Sequence, residues 1–252
     1  MELWQTGAIA LLGFFTATLT GLVGLGGGAI LLVAMLMFVP PAIAIPFHGM
    51  VQLAANVTRT WLYRQDIAWP LVSRFALLLI PGSALGIWLF QGLSERTIQV
   101  LIGVFVLATL YRGGIRAVAS DRPVWWFIPL GFVVGALAVT VGVVGMLIGP
   151  FMLRKDLRKE AVNGSIAAMV MLGHLVKIGA FGAVGIPLLE MLPAAALVVP
   201  SVVVGTWVGR RMLGHVSERA FVVAFKVTLA ALALKLVLWE GLLGQMLAHA
   251  VG

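Results

Sequence analysis

Eight strongly hydrophobic segments, separated by short polar stretches, make up most of this chain. Uncharged runs of about 20 residues are long enough to cross a bilayer as helices. The pattern therefore predicts an all-α polytopic membrane protein, and it comes close to excluding a soluble fold. The segments cover residues 6–38, 42–62, 69–90, 97–111, 125–152, 161–183, 188–208 and 221–247.

The chain also contains an internal duplication, with four hydrophobic segments in each half. Residues 13–28 align without a gap on residues 131–146, and both stretches are rich in glycine. Later in each half, Pro81 corresponds to Pro200. Duplication in so apolar a chain is typical of transporters built from two related halves. We predict two transmembrane repeats joined by a cytoplasmic linker, over residues 1–112, 113–124 and 125–252.

Segments one and five are too long for a single crossing. A continuous helix over residues 6–38 would be about 50 Å long, whereas the hydrocarbon core is about 30 Å thick. Glycine weakens a helix and lets backbone or ligand approach closely. Both segments are therefore expected to be broken or re-entrant at their central glycines, and the alternative is a close-packed helix interface of small residues. These glycines are Gly24, Gly26, Gly27 and Gly28 in segment one, and Gly142 and Gly145 in segment five.

The basic residues favour re-entrant hairpins. Lys and Arg are concentrated in the loops near residues 64–74, 112–122, 154–159 and 210–219, and the positive-inside rule places such loops in the cytoplasm. Segments one and five then begin and end on the same side, as hairpins do. The two repeats would be inverted relative to each other, with both termini outside. Eight simple crossings, the alternative, would make the repeats parallel.

Composition narrows the function classes. Hydrophobic residues make up 62% of the chain and charged residues 10%, and the mean hydropathy is +1.10, as expected for a chain that lies mostly in lipid. The absence of cysteine excludes disulfides and thiolate metal sites. The net charge of +8 is spread over short loops, so no nucleic-acid partner is expected. No HExxH or GxxxxGK[ST] motif is present, and we expect neither an enzyme nor a bound cofactor or metal.

Polar residues form one stripe on each of two apolar segments. In segment two, four polar side chains fall within an arc of about 80°, and in segment six three fall within about 60°. A cation at membrane depth is costly unless it faces protein or water, so Arg59 and Lys177 are site candidates. Alternatively, these two side chains extend to the nearby interfaces. The stripes consist of His48, Gln52, Asn56 and Arg59 in segment two, and Asn163, His174 and Lys177 in segment six.

The sign of the charges indicates an anionic substrate. All nine acidic residues lie in loops or near segment ends, although a cation path would normally place a carboxylate in mid-span. The interior offers cations, amides, imidazoles and, at the breaks, helix N-termini that bind oxyanions. The predicted substrate-binding residues are therefore the two stripes together with the six central glycines. His48 and His174 could carry protons, though a buried histidine more commonly bonds a backbone carbonyl.

The stretch 21–32, GLVGLGGGAILL, is followed by a polar second segment and a weaker copy in the second half. In these features the chain resembles the TauE/SafE family of sulfite exporters, also called the toluenesulfonate uptake permease family. The resemblance implies a multi-pass permease of the bacterial inner membrane that exports sulfite or an organosulfonate as a secondary transporter. An anion channel, or a permease for another small oxyanion or carboxylate, is the alternative. Proton coupling and a homodimer are both compatible with the sequence.

Overall fold

The computed structural model describes most of the chain, and the all-α prediction is confirmed in that part, where no strand occurs. Gly24 and Gly26, most of the predicted linker and the end of segment eight lie outside the described residues. The described residues are 2–23, 27–112, 123–142, 145–152, 154–212 and 218–243.

The helices follow the predicted segments closely. Short 3₁₀ turns precede α7 and α10 at Val124–Trp126 and Leu188–Met191, and a π-helical stretch, Leu236–Leu243, follows α11. The helices are α1 (Leu3–Val23), α2 (Gly27–Met35), α3 (Pro41–Leu62), α4 (Trp69–Leu77), α5 (Leu79–Gln91), α6 (Glu95–Arg112), α7 (Phe127–Thr140), α8 (Gly145–Met152), α9 (Lys159–Ala183), α10 (Leu192–Met212) and α11 (Glu218–Lys235).

The helix ends carry the expected signals. α3 begins with Pro41 at a first-turn position, where a missing N–H costs nothing. α9 ends two residues before Gly185, whose φ of +85° is a left-handed conformation that glycine adopts easily. Segment three is divided into α4 and α5, which are bent by 43° at Leu78. Pro81 lies in the first turn of α5 and cannot donate a backbone hydrogen bond to the preceding helix.

Several helices are long and apolar enough to cross a membrane. Among the described residues these are Leu3–Thr20, Lys159–Ala183 and Leu188–Gly209, and the bent pair of α4 and α5 is a further candidate. Large apolar side chains such as Leu11, Ile80 and Val227 are exposed on the outside, as expected for a surface in contact with lipid. The chain is therefore a multi-pass membrane protein, while the count of eight segments stays a prediction.

Segment one turns back on itself. Nε2 of Gln5, at the start of α1, donates to the carbonyl of Phe38, just after α2, over 3.0 Å. The rings of Trp4 and Phe38 lie 5.7 Å apart. At the other end of α2, Gly27 packs so closely on α1 that an added Cβ would overlap the carbonyl oxygen of Thr16. α2 therefore runs antiparallel along α1, and the two helices form a hairpin.

Segment five has the same form. The rings of Phe127, at the start of α7, and Phe151, near the end of α8, have their centroids 6.4 Å apart. Between the two helices, Gly142 has a φ of +78°, a conformation that a residue with a Cβ rarely adopts. The segment thus begins and ends at the same place, and its break coincides with the predicted glycines.

Besides the contact of Gly27 with α1, close-packed helix interfaces of small residues occur at glycines outside the predicted breaks. An added Cβ on Gly82 or Gly86 of α5 would overlap a carbonyl oxygen of α7, from Phe132 or Ala136. Likewise, a Cβ on Gly205 or Gly209 would meet the carbonyls of Phe14 and Thr18 on α1. In both pairs the contacts advance in the same direction along the two helices, so α5 is parallel to α7 and α10 is parallel to α1. Close backbone approach of this kind stabilises helix pairs where no hydrophobic driving force exists.

The central pair, α3 and α9, is antiparallel. His48, in the first half of α3, lies beside His174 in the second half of α9. At the other end, Gly164 near the start of α9 packs on Tyr63, just after α3. The basic loops that follow α3 and precede α9 therefore lie at the same end of the molecule.

Candidate functional site

A cavity of about 60 Å³ lies where the two hairpins meet α3 and α9. One water molecule needs roughly 10–15 Å³ by this measure, so the cavity has room for a few waters or one small oxyanion. The structure brings eight of the predicted site residues to its wall. They are Gly28, His48, Gln52, Asn56, Arg59, Gly142, Gly145 and His174.

A larger hollow of about 420 Å³ lies at the end of the molecule where α1 begins, and Leu3, Ile43, Ile186 and Glu190 contribute to its lining. Its wall is mostly apolar, and the one ionisable residue among its described lining residues is a carboxylate, which repels anions. The smaller cavity is therefore the better candidate for an anion site.

α3 supplies the polar wall of the cavity. His48, Gln52, Asn56 and Arg59 all line it, because positions four and three residues apart share one helix face. Nδ2 of Asn56 donates to the carbonyl of Gln52 over 2.8 Å, which uses one of its two N–H groups. The other N–H of Asn56 and the side-chain N–H groups of Gln52 lie in the cavity wall and can donate hydrogen bonds to a ligand oxygen.

Two imidazoles, those of His48 and His174, lie side by side in the cavity wall. The ring centroids of His48 and His174 are 5.7 Å apart and the rings are inclined by 74°. Both side chains are buried, with 1% and 5% of their surface exposed. Nε2 of His48 lies 2.9 Å from the carbonyl oxygen of Gly28, so the side chain links α3 to the first hairpin. Nδ1 of His48 has no hydrogen-bond partner within the described ranges.

Lys177 lies behind the wall rather than in it. Its side chain is fully buried, with 0% exposed, and Nζ donates to the carbonyl oxygen of Gly142 over 3.3 Å. Gly49 on α3 makes room for it, because a Cβ there would lie only 2.7 Å from Cε of Lys177. Lys177 thus points into the protein and holds the tip of the second hairpin, instead of extending to a membrane interface.

The first residues of α2 and α8 also line the cavity. Gly28 and Ala29 lie in the first turn of α2, and Gly145 and Met146 begin α8. The first N–H groups of a helix have no partner within the helix, and the helix dipole makes this end positive. Two positive helix ends therefore converge on one small cavity.

Among the described residues, the lining carries no negative charge. Arg59 is its one permanently charged residue, and neither Asp nor Glu occurs among the lining residues that the structure describes. Arginine stays protonated in proteins and offers a planar fork that suits two oxygens of one oxyanion. Arg59, the helix ends and the amides together give the cavity the chemistry of an anion site.

Some predicted site residues lie elsewhere. Asn163 is half-buried in the first turns of α9 and is not among the cavity-lining residues. Gly27 is buried against α1 rather than exposed to the cavity, although its neighbour Gly28 lines it. Gly24 and Gly26 cannot be placed because they lie outside the described residues. A role in substrate binding stays a prediction for all thirteen candidates.

Sequence reasoning missed two hydroxyls in the wall, those of Thr20 and Thr206. Their Oγ1 atoms donate to carbonyls one turn earlier, of Thr16 over 2.9 Å and of Val202 over 2.8 Å. Threonine forms this bond in many membrane helices whether or not a ligand is near, so a single threonine in an apolar run is not a signal.

The chain matches a known protein family over most of its length. A protein-family model described as "Sulfite exporter TauE/SafE" matches residues 9–236, which is nearly the whole chain. Neither the curated proteins nor the solved structures include a match to this chain.

Proposed function

The chain belongs to the sulfite exporter TauE/SafE family, and from this premise we propose that it exports sulfite or an organosulfonate across the bacterial inner membrane as a secondary transporter. The observation that carries the proposal is the cavity where two helix N-termini and Arg59 converge and where the described lining residues include no carboxylate. Such a site favours a small anion of high charge density.

The helix directions support inverted repeats. If all eight segments crossed the membrane once, segments two and six, which are α3 and α9, would run in the same direction. The contacts of His48 with His174 and of Gly164 with Tyr63 require opposite directions. A re-entrant hairpin at the start of each repeat produces that reversal, since each half then has an odd number of crossings. The substrate site would lie between the repeats, as in other inverted-repeat transporters.

The ends of the molecule support the same topology. Nη2 of Arg158, before α9, lies 3.7 Å from Oδ1 of Asp66, after α3, so the two basic loops share one face. At the opposite face, the start of α1, residues 42–43 and residues 186–187 surround the larger hollow, and the loops there carry no Lys or Arg. By the positive-inside rule, this charge asymmetry supports a cytoplasmic position for the first face.

In this mechanism the cavity replaces the hydration shell of the anion. Removing a charged group from water is costly unless hydrogen bonds replace those that are lost. The amides of Gln52 and Asn56, the guanidinium of Arg59 and the free N–H groups of α2 and α8 supply replacements from different directions. Movement of the hairpins relative to α3 and α9 would open the cavity to one side and then to the other.

Counterflow in proteoliposomes tests the proposal. Purified protein is reconstituted with one anion inside, and uptake of labelled sulfite, sulfate, thiosulfate, sulfoacetate or taurine is followed with and without a pH gradient. A transporter should give saturable uptake that is accelerated by anion on the far side. Uptake without saturation or acceleration would indicate a channel, and no protein-dependent flux of any anion would refute anion transport.

A further inference from the structure

We infer that the cavity binds each anion together with one proton, which is held between Nδ1 of His48 and an oxygen atom of the anion. The inference rests on the proposed function and names the form in which the substrate occupies the site. The juxtaposition that carries it is a buried imidazole nitrogen without a partner, on a side chain that lines the candidate anion cavity.

The partner of Nε2 determines which nitrogen of His48 carries a proton. A backbone carbonyl oxygen only accepts hydrogen bonds, so the 2.9 Å contact with Gly28 requires an N–H on Nε2. A neutral imidazole has one N–H and one lone pair, and the lone pair must then be on Nδ1. In this state Nδ1 of His48 is a hydrogen-bond acceptor that needs a donor as its partner.

The protein does not supply that donor in the described part of the chain, where Nδ1 of His48 is buried without a hydrogen-bond partner. The hydroxyls of Thr20 and Thr206 already donate to backbone carbonyls, and Nδ2 of Asn56 donates to Gln52. A buried polar atom without a partner is unusual in a native structure and calls for an explanation. A ligand that brings an O–H group would satisfy it.

An oxyanion satisfies Nδ1 in either of two ways that end in the same complex. A monoprotonated anion such as hydrogensulfite donates its own O–H to the lone pair. A fully deprotonated anion binds together with one proton, which the buffer acid releases as it becomes its conjugate base; this proton joins Nδ1 and is donated to an anion oxygen. The hydrogen bond between nitrogen and oxygen then contains one proton in both cases. The bound pair keeps one negative charge with hydrogensulfite, or with sulfite plus one proton, and it is neutral with a monovalent sulfonate plus one proton.

The charges around His48 make binding of the proton and binding of the anion depend on each other. The ionisable groups close to His48 are His174 and Lys177 on α9; Arg59 lines the same cavity about three turns further along α3, while α2 and α10 add none among the described residues. All of these are basic. A proton on His48 is therefore repelled until an anion arrives, and an anion is held more tightly once the proton is present. Such coupling is reciprocal by thermodynamic necessity.

Titration calorimetry of the purified wild-type protein tests the inference directly. Binding is measured in two buffers with different ionisation enthalpies, because the difference between the two heats counts the protons taken up. Methanesulfonate carries no proton, and its binding should take up one proton per anion. In mildly acidic buffer hydrogensulfite brings its own proton, and its binding should take up none.

Two variants locate the proton. In His48→Gln the side-chain N–H can still reach the carbonyl of Gly28, but the second nitrogen is gone. We expect methanesulfonate to bind about 10- to 100-fold more weakly and without proton uptake, since a hydrogen bond to a charged group is lost. His174→Gln is the matched control: it also removes an imidazole from the cavity wall, but the uptake of one proton should remain.

The outcomes separate this inference from the proposed function. If neither anion binds to the wild type, both are overturned. If the wild type binds methanesulfonate without proton uptake, or if His48→Gln still takes up a proton, the proton at His48 is refuted while the anion site stands. If His48→Gln does not fold, the numbers of protons that the wild type takes up with the two anions still test whether a proton binds together with the anion.

Discussion

Two neighbouring glycines of the first hairpin face different surroundings, and alanine at each should have a different effect. At Gly28, an added Cβ would overlap Nε2 of Gln52 and lie 3.5 Å from Nε2 of His48. The amide of Gln52 is the end of a flexible side chain, so it can rotate away, but it then leaves the cavity. The new methyl group also takes up a large part of a space of about 60 Å³. Gly28→Ala should therefore fold normally and bind anions poorly.

The magnitude follows from one lost hydrogen bond. Removing an amide donor from an anion costs about 1.5–3 kcal/mol, which would raise KM about 10- to 150-fold. Alanine is the better helix residue by about 0.5–1 kcal/mol, so the melting temperature should stay the same or rise. KM is measured by counterflow in proteoliposomes, and thermal stability is measured in detergent. Wild-type KM for every anion of the panel would show that Gly28 and Gln52 do not contact the substrate.

Gly27→Ala is the matched control. Its Cβ would overlap the backbone oxygen of Thr16 and the hydroxyl of Thr20, and a helix backbone cannot rotate away as a side chain can. α2 would have to move off α1, at a cost of about 1–3 kcal/mol. The expected result is a lower melting temperature, in contrast to Gly28→Ala. Equal stability of the two variants would refute the assignment of one glycine to the helix contact and the other to the cavity.

Three further predictions concern charge and topology. Arg59→Lys should weaken transport measurably but less than Arg59→Ala, because lysine keeps the positive charge and loses the planar guanidinium fork. Equal KM values for the two variants would argue against contact of Arg59 with two oxygens of the anion. Lys177→Met should raise the anion KM, since the hairpin tip at Gly142 loses its donor, and wild-type KM and rate for every anion would show that this bond does not matter. A cysteine introduced at Gly185 should react with an impermeant thiol reagent from outside and one at Asp156 should not, so that labelling of both from one side would contradict the inverted topology.

The fold class follows from the length of the apolar runs, and the polar face of α3 follows from helical periodicity. Apolar runs long enough to span a bilayer have few alternatives to helix, because every backbone group in lipid must be hydrogen-bonded internally. Within one helix the spacing of His48, Gln52, Asn56 and Arg59 determines that they share a face, whatever that face contacts. The breaks at the central glycines are equally local, since they depend on the length of the run and the absence of a Cβ. The glycine motif also identified the family, which the match over residues 9–236 confirms.

Other features depended on contacts between residues far apart in sequence. Of the predicted stripe on α9, only His174 is among the lining residues that the structure describes: Lys177 bonds a carbonyl behind the cavity wall, and Asn163 lies outside the lining. Gly27 and Gly28 are adjacent and chemically identical, and only the positions of α1 and α3 assign one to packing and the other to the cavity.

These features needed the tertiary structure because helical periodicity determines only the direction in which a side chain points around the axis of its own helix. It does not determine the depth of the residue in the membrane or the residue that it contacts. Depth and neighbour are set when helices pack, and here the packing depends on close backbone contacts at Gly82, Gly86, Gly205 and Gly209. The free nitrogen of His48 is the clearest case, because its significance comes from a carbonyl 20 residues away in sequence. The sequence alone determined which residues could bind an anion, and the tertiary structure decided which of them surround the same space.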